Sequence, residues 1–205
     1  MTGHQSDLEE RTMTLTEVFQ DNIKDIYHAE KQLTKALPKL IKKATDTNLR
    51  TALESHLGET EEHVRRLEQA AEILGIKPSG KVCHGMMGIV EEANEHTGEL
   101  KPGPVMDAVI IECAQKAEHY EICSYGTMCT WGKILGEDEV VALLEQNMAD
   151  EENADNKLTE IAESIVNAKA FKDQGSGKTS NGKIVKAVVS STSKAAPKEK
   201  AGSKR

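Results

Sequence analysis

The octapeptide HLGETEEH at residues 56–63 combines two imidazoles and a carboxylate at helical spacing. At about 100° per residue, His56, Glu59 and His63 lie within an arc of roughly 60° and share one face of a helix. Imidazole and carboxylate groups are the side chains that bind iron and manganese in proteins. A solvated helix face is the alternative interpretation of the same pattern.

Acidic residues lie in line with the apolar stripe on each of four helical segments. On the first segment the acid is Glu30, between Ile26 and Leu33. The corresponding acids of the other segments are Glu59, the pair Glu118 and Glu121, and the pair Glu152 and Asp155, with Glu151 as an alternative within one residue of register. A buried carboxylate without a partner is costly unless it is paired or becomes neutral.

A pair of metal ions would remove this cost. Mid-helix carboxylates with acid or histidine pairs three residues apart are the pattern by which four-helix bundles hold di-iron or di-manganese centres. Oxygen ligands with a minority of imidazole suit iron or manganese better than zinc. We therefore expect two iron or manganese ions per chain.

The segments that position these side chains have the apolar period of helices. The first covers residues 14–44, where Thr14 and Glu17 form a capping box and Pro38 should kink the helix or mark its last turns. The second ends at Gly75, with Pro78 just beyond.

Two further long helices are predicted after a glycine-containing connection. They cover about 105–133 and the residues after GEDE, while MMGIVEEANEH within 77–104 reads as a short helix. This connection is long enough to cross from one end of a bundle to the other. The sequence thus predicts an all-α, four-helix bundle of two antiparallel helix pairs with a long middle crossover that contains a short helix.

Composition favours the same fold class. Only 3% of the residues are aromatic, and a core of aliphatic side chains suits helix packing better than sheets. No stretch reaches the ~18–20 apolar residues of a membrane span, and the polar start MTGHQSDLEERTMT lacks the apolar region of a signal peptide. We expect a cytoplasmic protein without a membrane partner, and we expect the four cysteines, which form no CxxC pair, to be buried thiols.

Charge divides the chain into an acidic body and a basic end. Residues 173–205 carry eight Lys or Arg against two acids, a balance of +6, so residues 1–172 carry −14 for the total to be −8. The Gly-, Ser-, Lys- and Ala-rich end has no sustained period and cannot bury enough apolar surface to offset its ordering entropy. We predict a flexible N-terminus at 1–13, a helical bundle at 14–171 and a disordered basic tail at 172–205.

Four segments together resemble the bacterial YciE/YciF-type stress proteins, a ferritin-like family. They are DIYHAEKQLTKALPKL, HLGETEEHVRRLE, AQKAEHYEICSYGT and LLEQNMADEENADNKLTEIA, and they occur in family-like order and spacing between residues 15 and 167. The resemblance implies a rubrerythrin-like bundle with a carboxylate-bridged dimetal site. It does not cover the tail.

The resemblance also implies a set of metal ligands. By position these are Glu30, His56, Glu59, Glu118, Glu121, Glu152 and Asp155, with Glu151 as the alternative on the fourth helix. The chain departs from the usual Glu-x-x-His pattern, because Thr60 stands three residues before His63 and Asp155 replaces the expected histidine.

Three functions are compatible with these features. The first is a dimetal oxidoreductase of a stress-response type that reacts with peroxide or dioxygen, in a chain that we expect to form a homodimer. The second is iron sequestration at the same residues. The third is a metal-free structural or interaction protein whose basic tail binds nucleic acid electrostatically. Tyr27 and Tyr125 lie near the predicted ligands in sequence, and we interpret them as core residues with satisfied hydroxyls.

Overall fold

The computed structural model describes residues 12–173, and within this range all regular structure is helical. Residues 1–11 and 174–205, which make up most of the predicted N-terminal segment at 1–13 and of the predicted basic tail at 172–205, lie outside the described residues. The helices are α1 (Leu15–Lys43), α2 (Thr47–Ile73), α3 (His84–Gly98), α4 (Pro104–Leu135), α5 (Asp138–Ile161), a π-helical segment (Ala162–Val166) and α6 (Asn167–Asp173).

Local sequence signals account for the helix ends. At the start of α1 the Thr14 hydroxyl accepts a hydrogen bond from the Glu17 amide at 3.2 Å, and the Glu17 carboxylate accepts one from the Thr14 amide at 2.9 Å. This confirms the predicted capping box. Pro38 lies inside α1 and close to its end, as expected for a proline in the last turns. Beyond α2, Gly75 adopts φ +66°, a left-handed conformation that suits glycine at a helix stop.

Four long helices form the predicted bundle. Three residues join α1 to α2 and two join α4 to α5, and such short connections make each pair antiparallel neighbours. The pairs pack together through α1 with α4 and α2 with α5, and the short α3 of the crossover packs on α1 and α4.

Two apolar clusters occupy the two ends of the bundle. One surrounds Phe19, Ile23 and Leu144, and the other surrounds Leu49 and Ile110. Along α2 and α5 the apolar stripe is interrupted between these clusters by buried polar residues, namely His56, Thr60 and His63 on α2 and Asn147 and Glu151 on α5. The middle of the bundle is therefore the polar layer of an otherwise apolar core.

A glycine allows α4 and α5 to approach closely within the first cluster. A Cβ atom at Gly132 would lie 2.5 Å from Cγ2 of Val141 and 3.5 Å from Cζ of Phe19. Only a residue without a side chain fits there, because the Val141 side chain is stiff. This contact sets the spacing of the helix pair that carries Glu118, Glu121 and Glu151.

The cysteines are free thiols, as predicted, but they are not all buried. Cys83, Cys113 and Cys129 are buried, whereas Cys123 lies on the exposed side of α4. Burial, together with the charge of Glu112, raises the pKa of the Cys113 thiol to about 11. Among the described residues, no helix combines the length and apolar character that membrane crossing requires.

Candidate metal centre

Six ionisable side chains from four helices meet in the polar layer. All are buried, with at most 5% of the residue exposed. They are Glu30 of α1, His56 and His63 of α2, Glu118 and Glu121 of α4, and Glu151 of α5. We call this set the central cluster.

Glu30, His63 and Glu151 form one of two groups within the central cluster. Nδ1 of His63 lies 2.9 Å from Oε1 of Glu151 and 3.4 Å from Oε1 of Glu30. One nitrogen or oxygen atom from each residue lies within 4.8 Å of the others. These three atoms are close enough to bind a single metal ion.

His56, Glu118 and Glu151 form the other group. Nε2 of His56 lies 3.3 Å from Oε2 of Glu118 and 3.5 Å from Oε2 of Glu151. These residues also offer three atoms within 4.8 Å of one another. Glu151 belongs to both groups, and it approaches His63 with Oε1 and His56 with Oε2.

A carboxylate outside the central cluster holds each histidine ring through its other nitrogen. Nδ1 of His56 lies 3.2 Å from Glu59 Oε2, and Nε2 of His63 lies 3.3 Å from Asp150 Oδ2. Asp150 in turn accepts a hydrogen bond from Nη1 of Arg66 at 2.8 Å. Such carboxylates fix the tautomer of a histidine, so that the nitrogen facing the cluster is free to bind a metal.

Tyr125 connects the central cluster to a buried amide. Its hydroxyl donates a short hydrogen bond to Oε1 of Glu30 and accepts one at 3.0 Å from Nδ2 of Asn147. The amide oxygen of Asn147 accepts a hydrogen bond at 3.0 Å from Nη1 of Arg66. The Tyr125 hydroxyl is therefore satisfied, as predicted for a core tyrosine, and its partner is one of the predicted metal ligands.

Several atoms of the central cluster lie close to one another, as Nδ1 of His63 and Oε1 of Glu151 do at 2.9 Å, but within the described part of the chain they form no hydrogen bond of acceptable geometry. They are both carboxylate oxygens of Glu121 and of Glu151, Oε2 of Glu30, Oε2 of Glu118 and Nδ1 of His63. Buried polar atoms without partners are rare and costly. All seven atoms belong to five of the six residues of the cluster, and His56 has none of them.

Burial and mutual charge also shift the pKa values of the central cluster. Burial and the neighbouring acids raise the pKa of Glu121 and of Glu151 well above the usual range of a carboxyl. Burial alone would lower the pKa of His56, but the charges and hydrogen bonds of Glu118, Glu59 and Glu151 together outweigh it and raise that pKa well above its usual value. Four carboxylates carry four negative charges when ionised, which two divalent cations would neutralise.

The seven residues predicted from the sequence occupy different places. Glu30, His56, Glu118 and Glu121 lie in the central cluster. Glu59 lies beside it, with 41% of its side chain exposed, and it contacts His56. The remaining two lie outside it on α5, where Glu152 is exposed and Asp155 accepts a hydrogen bond from Gln115 at 2.9 Å and lies 3.3 Å from His119.

On α5 the residue that faces inward is Glu151, the alternative in the sequence analysis. One residue rotates a side chain by about 100°, so Glu151 and Glu152 cannot face the same group. His63, whose role the sequence left open, also lies in the central cluster.

The sequence pattern did not single out Asn147, Asp150 or Arg66, which contact one another beside the central cluster. One signal was available for Asn147, because it precedes Glu151 by one helical turn and so shares its face.

The comparisons with known proteins cover the same part of the chain. A family model described as a domain of unknown function, DUF892, matches residues 14–171. Protein YciF of Escherichia coli K12 is 40% identical over 158 residues, which are 77% of this chain and 95% of that protein.

Two solved structures are similar over most of their length. The E. coli stress protein YciF is 39% identical with a TM-score of 0.72, covering 77% of this chain and all (100%) of that one. A Rhodopseudomonas palustris protein, described as YcfI, a putative structural protein, is 42% identical with a TM-score of 0.71, covering 74% and 97%. These matches confirm the resemblance drawn from the four sequence segments.

Proposed function

The chain belongs to the DUF892 family and is similar to the stress protein YciF, and from this premise we propose that it is a dimetal protein. In this proposal the central cluster would hold two iron or manganese ions, which would supply the chemistry for a reaction with peroxide or dioxygen. The observation that carries it is the pair of three-residue groups that share Glu151. Partnerless carboxylate oxygens in both groups support the same conclusion.

The donor set favours iron or manganese over zinc. Four carboxylates and two imidazoles offer mostly oxygen atoms, whereas structural zinc sites prefer thiolate and imidazole. No cysteine belongs to either three-residue group of the central cluster.

The residues of the chain would bind and orient in this proposal. Glu30 and His63 would hold one ion, His56 and Glu118 the other, and Glu151 would contribute to both, with Glu121 as a further carboxylate beside them. A pair of such ions, when bound, supplies reversible one-electron oxidation and Lewis-acid binding of an oxygen substrate.

The surroundings would keep this site rigid and closed at both ends of the bundle. Glu59 and Asp150 fix the two imidazole rings, and rigid ligands keep the coordination geometry constant during reaction. The Tyr125 hydroxyl donates a hydrogen bond to Glu30 and accepts one from the Asn147 amide, so that its proton is held at Glu30. Apolar clusters at both ends of the bundle limit the access of water.

Metal content per chain, measured by elemental analysis after expression with iron and manganese available, tests the proposal. We expect about two equivalents, loss of metal in Glu118→Ala, and no loss in Glu152→Gln, whose side chain is exposed on α5. Absence of bound metal in the wild type, also after reconstitution, would refute the proposal and favour a structural role.

The same protein would then be assayed for the consumption of hydrogen peroxide and dioxygen. Repeated consumption of either substrate by protein that carries two metal ions per chain would support an oxidoreductase. Iron loading far above two equivalents per chain would instead indicate sequestration.

A further inference from the structure

A groove lies between α2 and α5 and reaches the central cluster from one side. Its volume is about 700 Å³, and its walls include Thr51 and Ser55 of α2 and Asn153 and Lys157 of α5. The π-helical segment contributes Ser164 and Ile165 to the same walls. Such π-helical turns often lie at functional sites.

The groove ends at one of the two metal-binding groups. His56, Glu118 and Glu59 line it, whereas Glu30, His63 and Glu121 do not. Exposure agrees with this difference, because 5% of His56 and 2% of Glu118 are exposed, while Glu30, His63 and Glu121 are 0% exposed. The two groups therefore differ in their access to solvent.

A second, much smaller hollow adjoins the same group from the other side. Its volume is about 30 Å³, and it lies among apolar side chains of α1, α3 and α4, including Leu33, Ile89 and Ala117. It also touches His56 and Glu118. Glu30, His63 and Glu121 again do not line it.

The other group is covered by hydrogen-bonded side chains. The Tyr125 hydroxyl lies against Glu30, and the ion pair of Asp150 and Arg66 covers the outer nitrogen of His63. These interactions separate Glu30 and His63 from solvent, and both residues are fully buried.

We infer that the centre has one open and one closed position. Metal ions and polar solutes enter through the groove, past Glu59, and bind at the His56–Glu118 position, whereas an ion at the Glu30–His63 position does not exchange directly with solvent. The inference rests on the proposed function, because it concerns the same two ions.

The groove also indicates the class of solute that it admits. Hydroxyl, amide, ammonium and carboxylate groups line its walls beside apolar side chains such as Leu53 and Ile161, and the half-exposed Glu59 carboxylate lies at its inner end. Hydrated divalent cations and small polar molecules such as hydrogen peroxide fit this chemistry. The volume would also admit a larger polar organic molecule.

Release of metal to a chelator tests this inference without an activity assay. Protein loaded with Mn²⁺ would be mixed with excess EDTA, and the released metal would be followed over time. We expect two phases of one equivalent each, separated by at least about tenfold in rate, or about 1.4 kcal/mol in barrier.

Variants that fill the groove show which phase uses it. Ala154→Trp on α5 and Ser55→Trp on α2 place a large ring between the walls, and each should slow the fast phase about tenfold without changing the total metal bound. Ala149→Trp is the matched control, because Ala149 is exposed on the same helix and does not line the groove. Helix content by circular dichroism would show that each variant is folded.

Each outcome separates the inference from the proposed function. Two equivalents that leave at one rate, unaffected by both groove variants, would overturn the open and closed positions and leave the dimetal proposal intact. A wild-type protein that binds no Mn²⁺ or iron would overturn both.

Discussion

The substitution Glu151→Gln should stabilise the metal-free protein and abolish its stabilisation by metal. It replaces the one carboxylate shared by both three-residue groups with a neutral side chain of the same shape. Glu152→Gln is the matched control, since it makes the same chemical change one residue later on the exposed side of α5.

The size of the effect follows from the buried charge. Burial and the charges of Glu118 and Glu30 raise the pKa of Glu151 well above its usual range, so the unfolded chain ionises more readily than the folded one. The resulting penalty to the free energy of folding is absent below the ordinary pKa of a glutamate carboxyl, about 4.3, and it increases with pH. At pH 7 it cannot exceed the free energy of protonating that carboxylate, about 3.7 kcal/mol.

The amide in Glu151→Gln remains partly unsatisfied, which offsets part of the gain by about 1 kcal/mol or more. We therefore expect the free energy of unfolding at pH 7 to increase by on the order of 1–3 kcal/mol, or roughly 2–12 °C in Tm, in the absence of metal.

Metal should change the stability of the wild type and not that of the variant. Each of the two ions, at a free concentration of about 100 times its Kd, adds about 2.7 kcal/mol to the free energy of unfolding, or about 5.4 kcal/mol together. Glu151→Gln removes a ligand from both positions and should show none of this gain. Compared with the wild type, Glu151→Gln should thus have a higher free energy of unfolding without metal and a lower one with metal. A residue that serves only packing would not produce this reversal.

Thermal and urea unfolding at pH 7, with Mn²⁺ or with EDTA, measure both effects. The control Glu152→Gln should stay within about 0.5 kcal/mol of the wild type in both conditions. A metal-free Glu151→Gln protein that is less stable than the wild type, or that still gains stability from Mn²⁺, would refute the reasoning.

Three further predictions concern the scaffold. Gly132→Ala should lower the free energy of unfolding by about 1–3 kcal/mol because the new methyl group meets Val141, and Val141→Ala in the same chain should restore part of the loss in urea unfolding. Lys169 and the first amides of α2 lower the pKa of Asp46, so Asp46→Ala should lower the free energy of unfolding by about 1 kcal/mol at pH 7. This difference from the wild type should disappear as the pH falls through the pKa of Asp46 in the folded protein. Cys123 is the one exposed cysteine of the described residues, so iodoacetamide at pH 8 should label it first, as mass spectrometry can show; faster labelling of a buried thiol would contradict the structure.

The helices and their ends could be predicted because local interactions decide them. The Thr14 capping box and the stop at Gly75 depend on residues within one turn, and the apolar period marks the buried face of each long helix. Acids within those faces also identified the polar layer, since a buried carboxylate such as Glu30 is unusual in any helix.

Only the tertiary structure decided which polar side chains meet. A helix may rotate by one residue with little change in its local energy, and the packing of α5 against α2 and α4 selects Glu151 over Glu152. The role of Glu59 beside His56 depends in the same way on the angle at which α2 faces α4 and α5.

Contacts between distant segments completed the site. Asp150 approaches His63 across 87 residues of sequence, and the Tyr125 hydroxyl reaches Glu30 across 95. The sequence by itself determined that these helices form and that they bury acids and histidines. Their mutual rotation, and with it the two groups that share Glu151, depends on the packing of all four helices at once, which no local pattern records.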